Sequence, residues 1–183
     1  TGHGIYFDAS NTIAEIINCT LTNNHNANYV IEVNKAKETH FNNNVINFSA
    51  NTYACGAIKI NCMANHFVID TKFEKTSSEG AIYYVITDTN NANNYQFSVE
   101  NCLFDQIAGS NSPAFKLWCT QPIIFHNNTI QNRNGNYIGW IAHRKTSTIR
   151  TLSITSCKFI NLTNNINNNH VTNCGGCGLW IFI

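Results

Sequence analysis

The 183-residue sequence predicts an all-β fold, one chain wound as a parallel β-solenoid with three parallel sheets. Three observations predict it. Six six-residue segments align along the chain without a gap, an alternating apolar block precedes each, and asparagine punctuates both.

The aligned segments are residues 16–21, 41–46, 68–73, 99–104, 125–130 and 154–159. Their first column reads Ile16, Phe41, Val68, Val99, Phe125, Ile154, and their sixth Leu21, Ile46, Phe73, Phe104, Ile130, Phe159; both are apolar throughout. Between them the third column reads Asn18, Asn43, Asp70, Asn101, Asn127 and Ser156. Successive copies lie 25, 27, 31, 26 and 29 residues apart. The preceding blocks are 4–7, 30–33, 56–60, 80–86, 113–117, a blurred 137–141, and 178–183. Alternation puts Ile5/Phe7, Ile31/Val33, Ile58/Ile60, Ile82/Tyr84, Phe115/Leu117 and Leu179/Ile181 on one face. Each repeat therefore reads strand, loop, strand, tight asparagine turn, strand, loop. No segment carries a long helical period. Asparagine, present 32 times, disfavours helix interiors and tolerates left-handed turns.

A strand-only repeat of this length is self-consistent when each copy is one coil. Equivalent residues then stack ~4.8 Å apart, and the apolar columns become core ladders. Six to seven coils are expected. The third column is expected to be a buried asparagine ladder, its amides bonding above and below, so that Asn101→Ala loses a partner away from water. A β-sandwich of short strands gives no reason for columns in register.

These residues resemble the right-handed parallel β-helix repeat family, the pectin-lyase-like superfold, whose coils carry three sheets and an asparagine ladder at one tight turn. The chain is also loosely similar to polymorphic outer-membrane-protein repeats through Cys-Gly-Ala-Ile at 55–58, Glu-Gly-Ala-Ile at 79–82, and the FxxN pairs Phe41–Asn44, Phe48–Asn51 and Phe125–Asn128. The resemblance implies a cell-surface or extracellular location. Because both ends lie in strands without polar caps, residues 1–183 are expected to be a single β-helix domain that is an internal piece of a longer chain.

Composition excludes several functions. Charged residues make up 11% and the net charge is +1, so no basic footprint for nucleic acid exists. No apolar run approaches the ~18 residues of a membrane span. Of the eight cysteines, Cys19, Cys102 and Cys157 share one column and Cys62 and Cys119 another, always at least two coils (~9.6 Å) apart, so these five are expected to be reduced. His170, Cys174 and Cys177 have zinc-ligand spacing but lack a fourth ligand, and a plain loop cysteine pair explains them as well. No cofactor is expected. Glycosylation sequons fall at Asn18, Asn47, Asn127 and Asn161, of which only Asn47 and Asn161 escape the expected buried ladder.

In pectin-lyase-like enzymes the substrate crosses the outward face of the first sheet. Alternation predicts Tyr6, Glu32, Lys59, Tyr83, Lys116 and Trp180 in one outward column, and Asp8, Asn34, Asn61, Val85, Trp118 and Phe182 in the next. Tyr6, Glu32, Lys59, Tyr83, Lys116, Trp118 and Trp180 are the candidate ligand contacts: rings stack on sugar faces and lysines pair with uronate or sulfate. A solvated face explains the charged members equally well. Insertions at 87–94, 143–148 and 161–173 flank the face, and His143, Arg144 and Lys145 form the densest basic run. Glycosidic hydrolysis needs two placed carboxylates, and a calcium-dependent lyase several. Only Asp8 and Glu32 approach one another, and Gly2-His3-Gly4 resembles a short polygalacturonase motif whose paired aspartates and Arg-Ile-Lys element are absent. The sequence thus leans against catalysis. The leading expectation is a non-catalytic surface scaffold, adhesin-like or glycan-binding, its partner a polysaccharide or a cell-surface glycoprotein. The alternatives are a polysaccharide lyase or glycoside hydrolase, and a purely structural spacer.

Overall fold

A computed structural model describes residues 4–23, 29–48, 56–75, 80–86, 95–106, 114–119, 121–132, 137–143, 151–160 and 178–182. They form nineteen strands, β1–β19 in chain order, and no helix among the described residues. The first sheet holds β1 (Ile5–Asp8), β4 (Tyr29–Lys35), β7 (Gly56–Ile60), β10 (Ile82–Val85), β13 (Phe115–Cys119), β16 (Tyr137–His143) and β19 (Gly178–Phe182), in that order. The second holds β2 (Ile13–Ile17), β5 (Glu38–Asn42), β8 (Asn65–Ile69), β11 (Phe97–Glu100), β14 (Ile123–His126) and β17 (Leu152–Thr155). The third holds β3 (Thr20–Asn23), β6 (Val45–Phe48), β9 (Lys72–Glu74), β12 (Leu103–Asp105), β15 (Thr129–Gln131) and β18 (Lys158–Ile160). Every pairing is parallel, each strand with its counterpart one repeat away. The protein is a parallel β-solenoid.

Register follows the apolar columns. Ile16 pairs with Phe41, Phe41 with Val68, Val68 with Val99, Val99 with Phe125, and Phe125 with Ile154. In the third sheet Leu21, Ile46, Phe73, Phe104, Ile130 and Phe159 stack likewise. Aromatic contacts reinforce the core: Phe73 and Phe104 stack between coils at 5.0 Å, and Tyr84 and Phe97 across one coil at 4.6 Å. Stacked pairs of this kind add ~0.5–1.5 kcal/mol beyond burial.

About four turns are closed, rather than the six to seven coils expected. From β4 through β15 the inward columns, such as Ile31, Phe41, Ile46, Ile58, Tyr84, Leu117 and Ile130, have no exposure. On either side burial is less uniform: Ile5, Phe7 and Leu21 are only partly buried and Phe159 is 40% exposed, while Ala14 and Ile16 of β2 stay buried.

The tight turn between the second and third sheets divides its work between two adjacent columns. Asn18, Asn43, Asp70, Asn101, Asn127 and Ser156 all adopt left-handed backbone, φ between 50° and 58°. Their side chains are exposed, not buried as the sequence reading held. Some do link coils across the surface, Asn43 Nδ2 donating to Asn18 Oδ1 at 2.6 Å and Asn127 Nδ2 to Asn101 Oδ1 at 2.9 Å. The next column points inward: Cys19, Asn44, Thr71, Cys102, Asn128 and Cys157. Asn44 Nδ2 donates to the Ile16 carbonyl at 2.7 Å, Thr71 Oγ1 to that of Phe41 at 3.0 Å, Cys102 Sγ to that of Val68 at 3.3 Å, Asn128 Nδ2 to that of Val99 at 2.8 Å, and Cys157 Sγ to that of Phe125 at 3.5 Å. Each satisfies the same carbonyl, one coil back. The two asparagines also accept, Asn44 Oδ1 from the Cys19 amide and Asn128 Oδ1 from the Cys102 amide. The buried ladder is thus Asn, Thr and Cys by turns, unified by a donor rather than by residue type.

The five described cysteines are free thiols. Burial pushes the Cys102 thiol up to about 12 and raises those of Cys62 and Cys157. Cys55, Cys174 and Cys177 lie outside the described residues.

Candidate functional site

The outward face of the first sheet is built by strand alternation, since each inward core residue aims its neighbours out. Tyr6 pairs with Glu32, Glu32 with Lys59, Lys59 with Tyr83, and Tyr83 with Lys116. Lys116 then pairs with Trp140, and Trp140 with Trp180. Trp140 is the member the sequence reading missed. The cause is local: Gly139, not Ile138, takes the inward position opposite Phe115, blurring the alternation in β16. A Cβ on Gly139 would lie 2.1 Å from the Phe115 ring, which fills the place of a side chain.

Side chains on this face are interlocked. Lys59 Nζ lies 3.1 Å from Glu32 Oε1 and 5.5 Å from the Tyr29 ring centroid. Lys116 Nζ sits 5.3 Å over the Tyr83 ring, and the Tyr29 and Tyr83 rings are 6.1 Å apart. Tyr29 lies over Gly56 on the next coil, where a Cβ would come within 2.4 Å of the ring. Tyr6 is 49% exposed and Trp118 39%, while Glu32 is nearly buried at 7%. In the middle coils the face therefore runs carboxylate, cation, ring, cation from Glu32 to Lys116, with Trp118 one step aside.

Neither candidate catalytic carboxylate is unpartnered. Asp8 Oδ1 accepts from Asn34 Nδ2 at 2.9 Å and pairs with Lys35 Nζ at 3.2 Å. Those two contacts, the Asn34 bond foremost, hold its carboxyl below the usual range. A register shift between Phe7 and Asp8 sets Asp8 opposite Lys35 instead of Asn34. Glu32 Oε1 takes a 2.7 Å bond from Asn61 Nδ2 besides its pairing with Lys59. Each carboxylate has its own lysine and asparagine. For Asp8, a general acid at neutral pH would need the opposite, a carboxyl whose pKa is raised.

Behind this face the core contains a polar cluster. His66 is fully buried, its Nδ1 3.0 Å from Thr39 Oγ1 and its Nε2 2.9 Å from the Cys62 carbonyl. Nε2–H donates to that carbonyl, so Nδ1 accepts from the threonine. Burial lowers the imidazole pKa from its ordinary 6.5 to about 4. Tyr84 donates its hydroxyl to Gln121 Oε1, and Gln121 Nε2 donates to the Ala64 carbonyl at 3.1 Å. Satisfied this way, the cluster is compatible with a dry core.

Several expected sites lie outside the described residues: Gly2 and His3, the insertions 87–94, 144–148 and 161–173, Asn161, and the metal candidates His170, Cys174 and Cys177. The strand positions of Trp140, His143 and Trp180 are described but not their side chains. Among the described residues no group of three or more His, Cys, Asp or Glu could hold a metal ion. Nor is any helix among the described residues long and apolar enough to cross a membrane. The sequon ranking changes: Asn18 and Asn127 are exposed, whereas Asn47 is partly buried and donates its amide to Glu74 Oε2 at 3.1 Å. Comparison with family models, curated proteins and solved structures finds no match.

Proposed function

We propose that the chain is a non-catalytic β-helix scaffold of a surface or secreted protein, binding an extended, acidic glycan along the outward face of its first sheet. One observation carries this reading: Lys59 and Lys116 are each held over a tyrosine ring, with exposed Tyr6 and Trp118 beside them. Rings offer stacking faces to sugars, and ring-seated ammonium groups stay ordered for carboxylate or sulfate partners. Coils repeat at ~4.8 Å, close to the length of one pyranose, so successive rungs meet successive sugars. The partner is a polysaccharide or the glycans of a cell-surface glycoprotein. Right-handed winding, as in the pectin-lyase-like superfold, belongs to the same proposal, because parallel crossovers strongly favour that hand.

A glycan array of intact protein tests the reading. Retention of uronate-containing or sulfated chains, reduced by Lys116→Gln and by Trp118→Ala, is expected; no retention of any glycan leaves the spacer. Turnover of uronate polymers that vanishes in Glu32→Gln would replace the proposal with a lyase or hydrolase. The lysine and asparagine on both Asp8 and Glu32 argue against that outcome.

A further inference from the structure

A separate concavity lies at the corner where the first sheet turns into the second. Residues 9–12, 36–37 and 61–64 make this corner in three successive coils, and Tyr95, ahead of β11 in the next coil, borders it. They enclose a groove of about 560 Å³ lined in part by Lys35, Lys37, Glu38, Met63, Asn65 and Tyr95. That volume falls within the ~300–1,000 Å³ of small-molecule sites.

Its chemistry is specific. Glu38 is fixed from both sides: its Oε1 lies 2.6 Å from His40 Nε2, and its Oε2 accepts from Asn65 Nδ2 at 3.3 Å. His40 is itself held by stacking on Phe67, with centroids 5.1 Å apart. The His40 bond, with that from Asn65, keeps the Glu38 carboxyl below its usual range. Two carboxylate oxygens so held are ready acceptors for hydroxyl donors, since each retains a lone pair. Lys37, one residue away, is exposed; its amide donates to the Thr12 carbonyl at 2.9 Å, while its ammonium makes no hydrogen bond or ion pair among the described residues and acts on Glu38 only through its charge. Lys35, across the groove mouth, is paired with Asp8 at 3.2 Å. Tyr95 adds a ring, and Met63 packs its apolar side chain on the core.

A cation beside a fixed carboxylate matches a ligand carrying both an anionic group and hydroxyl donors. A metal ion is a poor occupant, because the ammonium groups repel it. A plain anion is one as well, because Glu38 does. We infer that this corner groove binds a single anionic sugar residue, its charge on Lys37, its hydroxyls on Glu38 and Asn65, and a ring face against Tyr95. The inference stands apart from the proposed glycan face, which shares none of these six residues.

Titration of ¹⁵N-labelled protein with glucuronate, glucose 6-phosphate and glucose, followed by amide shifts, tests it. Saturable shifts at residues 35–38, 62–65 and 95 are expected with an anionic sugar, and whether glucuronate or the phosphate binds tighter identifies the source of the charge. Lys37→Gln, at an exposed position, should weaken binding about tenfold, the loss of one charge-assisted bond. Lys158→Gln, on the third sheet, should not change it. Absence of saturable shifts, equal binding of glucose, or unaltered affinity in Lys37→Gln would each overturn the inference.

Discussion

At the residue scale, the tight turn separates two jobs that one amino acid type had concealed. The left-handed position needs tolerance of positive φ, which asparagine supplies and glycine supplies better. The inward position needs a donor for a carbonyl one coil back. Asn128→Ala should therefore lower stability by about 1–3 kcal/mol, leaving the Val99 carbonyl and the Cys102 amide unpaired in the core. Asn101→Gly should change it by less than about 0.5 kcal/mol. Urea midpoints compare the two, and equal losses would contradict the division. The sequence pattern made the turn legible but not the division, because Asn43–Asn44 and Asn127–Asn128 put asparagine in both columns. Cys19, Cys102 and Cys157 were the available signal, since a thiol, a threonine hydroxyl and an amide can all donate to a carbonyl. His66 yields a second prediction at this scale. The unfolded imidazole binds a proton near 6.5 and the folded one near 4, so stability is complete above pH 6.5 and falls as pH drops toward 4. The loss is on the order of 3 kcal/mol. Denaturant midpoints from pH 7 to 4 should show this slope in the native protein and its disappearance in His66→Gln.

Among elements, strand columns were the most legible part, because a period of two leaves an inward residue no alternative but the core. The failure was β16. There Phe115 of one coil occupies the side-chain space of Gly139 on the next, so size is exchanged between strands and the apolar column reads as a gap. Gly139→Ala should cost about 1–3 kcal/mol through overpacking. Phe115→Leu in the same chain should recover part of that loss, which a double-mutant cycle measures as a favourable coupling. Additive losses would place the ring elsewhere. The first-sheet face was legible to the same degree: Tyr6, Glu32, Lys59, Tyr83 and Lys116 are in register as alternation demands. Their partners were not. Nothing in the sequence tells that Lys59 divides itself between Glu32 and Tyr29, because Tyr29 comes from a strand start on the preceding coil.

For the whole molecule, the solenoid makes nearest-neighbour coils the unit of stability, and burial is most uniform from β4 through β15. The corner groove follows from the same organisation. Corners of four, two and four residues, at 9–12, 36–37 and 61–64, stack there beside Tyr95, and their unequal lengths go with a concavity. No local motif announces such a site; it arises from stacking unequal corners, and only a three-dimensional arrangement reveals it.

The donor column carries a consequence for how such a chain can drift. Asparagine and threonine codons differ by a single base, and serine connects asparagine to cysteine in two single-base steps. Every residue along those paths bears an N–H, O–H or S–H within reach of the waiting carbonyl. Mutation can therefore rewrite the column one nucleotide at a time without ever passing through a residue that leaves the winding unpinned.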